Sequence, residues 1–107
     1  MSIIRHCVFV HFKEDITSAQ KQAIYGELQG LSSILSGIIA FDAKANSSPE
    51  TGMDKGYSDG FIIDFDTEAS RDAYLAAPEH KAIGAKLVAA SQGGADGILV
   101  FDMVIEA

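Results

Sequence analysis

Hydrophobic and polar residues alternate with period two over residues 4–12. Ile4, His6, Val8, Val10 and Phe12 fall on one side, and Arg5, Cys7, Phe9 and His11 on the other. Neither side is dominated by polar groups, which predicts a strand covered on both faces. Lys13-Glu14-Asp15 marks a polar turn. Thr17 and Gln20 then have the spacing of a capping box ahead of an apolar run. Ile24, Leu28, Leu31 and Leu35 recur at helical intervals, so a first helix presents one apolar stripe to a core. Gly37 is the expected stop.

Ile38 to Ala45 reads as a second strand, with Ile39, Phe41, Ala43 and Ala45 on one side. Residues 46–56 are rich in Ser, Pro, Gly and Asp and predict a surface loop. Alternation resumes from Tyr57 to Phe65. There Tyr57, Asp59, Phe61, Ile63 and Phe65 share one face, and Ser58, Gly60, Ile62 and Asp64 the other. Thr67 suits the N-cap of a second helix with Glu68 in its first turn. That helix is expected to turn Ala69, Ala73 and Leu75 inward and to end before Pro78. Pro78 suits the first position of a third helix, whose Ile83, Leu87 and Ala90 form one stripe with His80 at its leading edge. Gln92 to Gly97 predicts a flexible loop, and Ile98 to Ile105 a last strand.

The predicted order is β-α-β-β-α-α-β. This is an α+β chain in which a four-stranded antiparallel sheet carries its helices on one face, the ferredoxin-like arrangement. A length of 107 residues suits one domain over residues 1–107. The face away from the helices is apolar too, with Cys7, Phe9 and one side of the last strand, and such a face marks a partner surface. A second copy packed sheet to sheet is the simplest occupant, so a homodimer is expected.

The net charge of −7 argues against nucleic acid, whose phosphates call for clustered Lys and Arg, and against anionic membranes. No run approaches the ~18 consecutive apolar residues of a membrane span. The N-terminus enters strand pattern directly, without the look of a signal peptide, so a cytoplasmic location is expected. The single cysteine, Cys7, reads as a small buried hydrophobe. Three scattered histidines give no metal-ligand spacing. No glycine-rich loop follows a strand in the way that holds phosphates. Neither metal nor cofactor is expected.

Four segments in register carry a family resemblance. They are Ile4-Arg5-His6 with the alternating run to Phe12-Lys13, Gly56-Tyr57, Ala73-Tyr74-Leu75 leading to Pro78-Glu79-His80, and Leu99-Val100-Phe101-Asp102. Over nearly its whole length the chain resembles the stress-responsive dimeric α/β barrel (Dabb) domain family. The resemblance implies ferredoxin-like protomers paired through their sheets into a dimeric barrel, in a family most of whose members have no assigned chemistry. More distantly, the chain is similar to the olivetolic acid cyclase-like members, cofactor-free enzymes that close a polyketide ring by aldol chemistry. That similarity implies His80 as the base, Tyr74 as the supporting phenol and His6 as the first-strand histidine. The chain departs from it at Asp59 and Ala77, where the cyclases carry further histidines.

The residues support a matching chemistry. As the third residue of its helix, His80 would feel the positive end of the helix dipole, which favours the neutral, proton-accepting imidazole. Tyr74 could donate to an oxygen that gains negative charge. The pair suits proton abstraction next to a carbonyl. His6, Asp59 and Ile83 are the candidate pocket residues, and His11 is expected at the dimer interface. The same pair also reads as a core aromatic and a helix-start packing residue.

Two functions from different classes follow. One is a dimeric barrel protein with a small apolar pocket, performing proton abstraction or cyclisation on a small carbonyl or polyketide-like compound. The other is a non-catalytic, stress-associated homodimer. A cofactor-free monooxygenase of the antibiotic-biosynthesis type shares the fold, but no residue here points to that chemistry.

Overall fold

The computed structural model describes residues 2–106. Four strands, β1 (Ser2–Val10), β2 (Ile38–Ala45), β3 (Asp59–Phe65) and β4 (Ile98–Glu106), are interleaved with three helices, α1 (Ser18–Gly30), α2 (Glu68–Ala76) and α3 (Pro78–Ala90). Short 3-10 turns follow α1 at Leu31–Ser33 and precede β4 at Gly94–Gly97. The sheet runs β2-β3-β1-β4 with every neighbouring pair antiparallel, the ferredoxin-like arrangement that the order of elements predicts.

Local chemistry sets the helix starts. Thr17 Oγ accepts from the Gln20 backbone N–H at 3.2 Å, and Gln20 Oε1 accepts from the Thr17 N–H at 2.7 Å. Two donors at the start of α1 are thereby satisfied. Thr67 caps α2 through the Ser70 N–H at 3.1 Å. Ile24, Leu28 and Leu31 from α1 and its following turn, and Ile83, Leu87 and Ala90 from α3, are buried with Val8, Val10, Phe61, Ile63 and Phe65 of the sheet. Both stripes read from helical spacing therefore face the core.

Several details differ from the pattern. β1 ends at Val10, and Phe12 is held beyond it by an isolated bridge to Ser91. The His11 ring lies against Gly56 at the strand end, not among the apolar residues of the sheet face. Strict alternation places Ile39 with Phe41, but the pairing slips between Ile38 and Ala40. This bulge turns Ile38 to the core and leaves Ile39 57% exposed. On α2, Ala69, Ala73 and Leu75 point to solvent while Tyr74 is buried. The largest apolar side chain, not the count of small ones, decides which side of this short helix turns inward.

The Gln92–Gly97 segment is tied down, not loose. The His11 N–H donates to the Gly97 carbonyl at 2.8 Å, the Gln92 N–H donates to the His11 carbonyl at 2.7 Å, and Tyr57 Oη donates to the Asp96 carbonyl at 3.1 Å. A Cβ on Gly97 would collide with the Gln92 carbonyl, so only glycine lets the two backbones come this close.

The sheet face away from the helices is bare. Phe9, Ile62, Leu99, Phe101 and Met103 are exposed there. Register sets Leu99 opposite Phe9, Phe101 opposite Cys7 and Met103 opposite Arg5. Burial among these neighbours pushes the Cys7 thiol pKa up, which keeps it protonated. Edge strand β4 also exposes Val100 and Val104 on its other side.

Gly37 holds φ +92°, and a Cβ there would run into the Ser70 side chain at the start of α2. Gly37→Ala is expected to destabilise by about 1–3 kcal/mol. Calorimetry should show this as a melting temperature lower by roughly 4–8 °C per kcal/mol.

Candidate functional site

Helix α2 places Arg71 and Tyr74 on one face, three residues apart. Tyr74 is 1% exposed and is walled by rings from three elements. Its centroid lies 5.1 Å from Phe65 on β3, 5.9 Å from His6 on β1 and 4.3 Å from His80 on α3. The junction between the helices sets the last distance. Ala77 is extended, and Pro78 cannot continue α2 but suits the first position of α3. The chain bends there, and the third residue of α3, His80, turns back onto Tyr74.

Two polar atoms in this cluster are buried without a hydrogen-bond partner: Tyr74 Oη and His80 Nδ1. Each such atom costs about 1–3 kcal/mol unless a ligand or ordered water meets it. Burial lowers the His80 pKa from its ordinary 6.5; the Leu75 carbonyl opposes the shift, and His6 and Lys81 add to it. Desolvation, the largest of these causes, thus favours the neutral imidazole, in the same direction as expected from the helix dipole. Burial drives the Tyr74 pKa well above 10, so the phenol keeps its proton.

His6 is 3% exposed beneath α2. Its Nδ1 lies 2.7 Å from Asp102 Oδ1 on β4. Asp102 Oδ2 accepts from Arg71 Nη1 at 2.8 Å, and Arg71 Nε donates to Asp72 at 2.8 Å. Sequence reasoning missed Asp102 and Arg71. The available signal was a lone carboxylate in the middle of an apolar strand, which is costly unless paired.

Of the predicted site residues, the fold brings His6, Tyr74 and His80 together. Ile83 is buried in the core three residues after His80 on α3. Asp59 stands apart. It sits opposite Val10, four residues along β1 from His6, or roughly 13 Å at strand rise. There it accepts from Lys21 Nζ at 3.1 Å. Asp59 lines instead a cavity of about 490 Å3 beside the 46–57 loop, floored by Phe9, Phe61, Ile62 and Leu99. None of His6, Tyr74, His80 and Ile83 lines that cavity. Tyr25 is a second buried phenol without a partner, its pKa pushed up to about 12 by burial. Among the described residues, no group of three His, Cys, Asp or Glu side chains is placed to hold a metal ion.

The profile of the Stress responsive A/B Barrel Domain matches residues 4–105. The chain belongs to this family. Solved structures agree in fold. A dimeric ferredoxin-like protein of unknown function from Jannaschia sp. CCS1 is 32% identical, with 94% of this chain and 97% of that one covered at a TM-score of 0.85. A protein from Arabidopsis thaliana is 19% identical, covering 97% and 96% at 0.84. The hydroxynitrile lyase of Passiflora edulis is 18% identical, covering 97% and 94% at 0.81. The last two likenesses speak for the fold alone. Among the curated proteins nothing matches. Among the described residues, no helix is long and apolar enough to cross a membrane.

The depressed His80 pKa has a measurable consequence. In the window below 6.5 the unfolded chain binds the proton more readily than the folded one. Stability from neutral His80 is therefore present above pH 6.5 and is lost as the pH falls through the lower, folded-state value. His80→Gln should flatten the decline of melting temperature on acidification. A decline as steep as that of the wild type would assign it to other groups.

Proposed function

We propose that this chain is a cofactor-independent acid–base catalyst, working as a homodimer, in which His80 and Tyr74 act on a small carbonyl compound. One observation carries the reading. Tyr74 Oη and His80 Nδ1 are buried and unpartnered on rings 4.3 Å apart. Packing alone leaves both desolvation costs uncompensated, as it does at Tyr25 Oη, unless a ligand or ordered water meets the atoms. A ligand offering a carbonyl oxygen and an acidic C–H would meet both atoms.

The chemistry follows from the charge states. Neutral His80 takes a proton from the carbon next to the carbonyl. The C–H electron pair becomes the enolate, whose charge gathers on oxygen. Tyr74, kept protonated by burial, donates a hydrogen bond to that oxygen. The imidazolium then returns the proton, either to carbon or to the oxygen formed when the enolate closes a ring onto a second carbonyl. Phe65 and Ile83 give the surroundings an apolar character suited to polyketide-like compounds. The hydroxynitrile lyase among the solved relatives fits a lyase-type chemistry on this fold. Because Tyr74 is so enclosed, entry of a ligand requires the packing around it to open.

The dimer reading rests on the bare apolar face and on relatives described as dimeric. Arg5 and Asp64 face each other across that side of the sheet in a two-bond fork, at 2.9 and 3.1 Å. With its charges already matched, this pair can go under a partner without leaving either one unpaired. The enclosure of Tyr74 by other rings favours a second reading, a non-catalytic stress-associated homodimer in which the pair plugs the core.

Proton–deuterium exchange next to the carbonyl, followed by NMR across a panel of ketones and β-dicarbonyls, separates the two. Catalysis predicts exchange that falls about 10²–10⁴-fold in His80→Ala and comparably in Tyr74→Phe. Rates unchanged in both variants would favour the structural homodimer. For the interface, sedimentation should show a dimer at micromolar concentration and a monomer for Phe101→Glu. A monomeric wild type would overturn the dimer.

A further inference from the structure

The chemistry proposed above leaves His6 without a task, although it is a titratable ring buried beneath α2 and beside Tyr74. We infer that Asp102 and Arg71 are positioning residues of the site, which together hold His6 as its Nδ1–H tautomer and leave Nε2 as the acceptor nitrogen. The inference rests on the Tyr74–His80 reading for its functional meaning, but not for its geometry.

The geometry is specific. An ionised carboxylate oxygen can only accept, so the ring nitrogen 2.7 Å from Asp102 Oδ1 must be the donor. That length is typical of a charge-assisted bond. A neutral imidazole has one N–H, so a proton committed to Nδ1 leaves the lone pair on Nε2. Asp102 is not free to turn away. Its second oxygen accepts from Arg71 Nη1 at 2.8 Å, and the guanidinium is steadied in turn by the bond from Nε to Asp72 at 2.8 Å. Arg71, Asp102 and His6 belong to α2, β4 and β1. One clamp therefore ties the helix that carries Tyr74 to two strands of the sheet.

The tautomer bears on which ligand the site accepts. An Nε2–H would suit a carbonyl oxygen. A bare Nε2 suits a hydroxyl donor. Together with the Tyr74 phenol as donor and neutral His80 as acceptor, this favours a compound carrying an enol or phenol hydroxyl beside its carbonyl, over a simple ketone. Holding a ring in one tautomer through a carboxylate neighbour is a general way to preset an imidazole before substrate arrives.

Long-range proton–nitrogen NMR on the 15N-histidine-labelled protein at alkaline pH reads the tautomer directly. His11→Gln and His80→Gln variants assign the His6 signals by elimination. His6 should be the Nδ1–H tautomer in the wild type. Asp102→Asn should convert this to a mixture, because an amide can also donate to a bare Nδ1. Arg71→Met should loosen the carboxylate and give a mixture too, while Arg71→Lys should retain the single tautomer. An Nε2–H ring in the wild type overturns the proposal, and this spectrum decides even if a variant fails to fold. Tautomers unchanged in both Asp102→Asn and Arg71→Met would also overturn it. No substrate enters this experiment, so its failure is distinct from failure of the catalytic reading, which the exchange rates of His80→Ala and Tyr74→Phe decide.

Discussion

The seating of Tyr74 against β1 and β3 is the contact on which the rest depends. Helix α2 has only nine residues, too few to persist on helical propensity alone. Burying one phenol removes on the order of 150–250 Å2 from water, enough to hold such a helix onto the sheet. The same contact carries a hydroxyl into a dry place, and dryness is what keeps the phenol protonated. Pro78 then stops α2 immediately beyond this anchor, so α3 begins with His80 against the buried ring. Packing, charge state and proximity thus share one cause.

The sheet separates two layers of different character. Beneath the helices lies the enclosed cluster of His6, Tyr74 and His80, with its charges confined to the Asp102–Arg71 pair at the edge. On the other side lie Phe9, Ile62, Leu99, Phe101 and Met103, exposed beside one internally matched ion pair. A strand alternating apolar residues on both sides serves both layers at once, and β1 does so with His6 on one side and Cys7 and Phe9 on the other. The two layers are therefore coupled through the same backbone without sharing side chains.

Legibility in the sequence tracks how local the physics is. The capping box at Thr17 and Gln20, the cap at Thr67, the Pro78 start of α3 and both helical stripes are effects of neighbours within a turn or two, and they appear as read. Ile39 was misplaced because a bulge, decided by pairing with Phe65 and Asp64, breaks the alternation. The inward face of α2 was misread because small alanines carry little burial free energy beside a tyrosine. Gln92–Gly97 looked loose because its glycines were read as freedom, when Gly97 permits a close backbone approach.

By itself, the sequence determined the order of elements, the one-sided helix layer and the two-sided apolar sheet, since each depends on residue type and short spacing. Only the tertiary structure decided that Asp59 lies far from His6 and that Asp102 and Arg71 join His6 in one network. It also decided that His80 is buried enough for desolvation to lower its pKa. Those outcomes depend on strand register and on which faces close over one another, and they join residues as distant as His6 and Asp102, which no local pattern links.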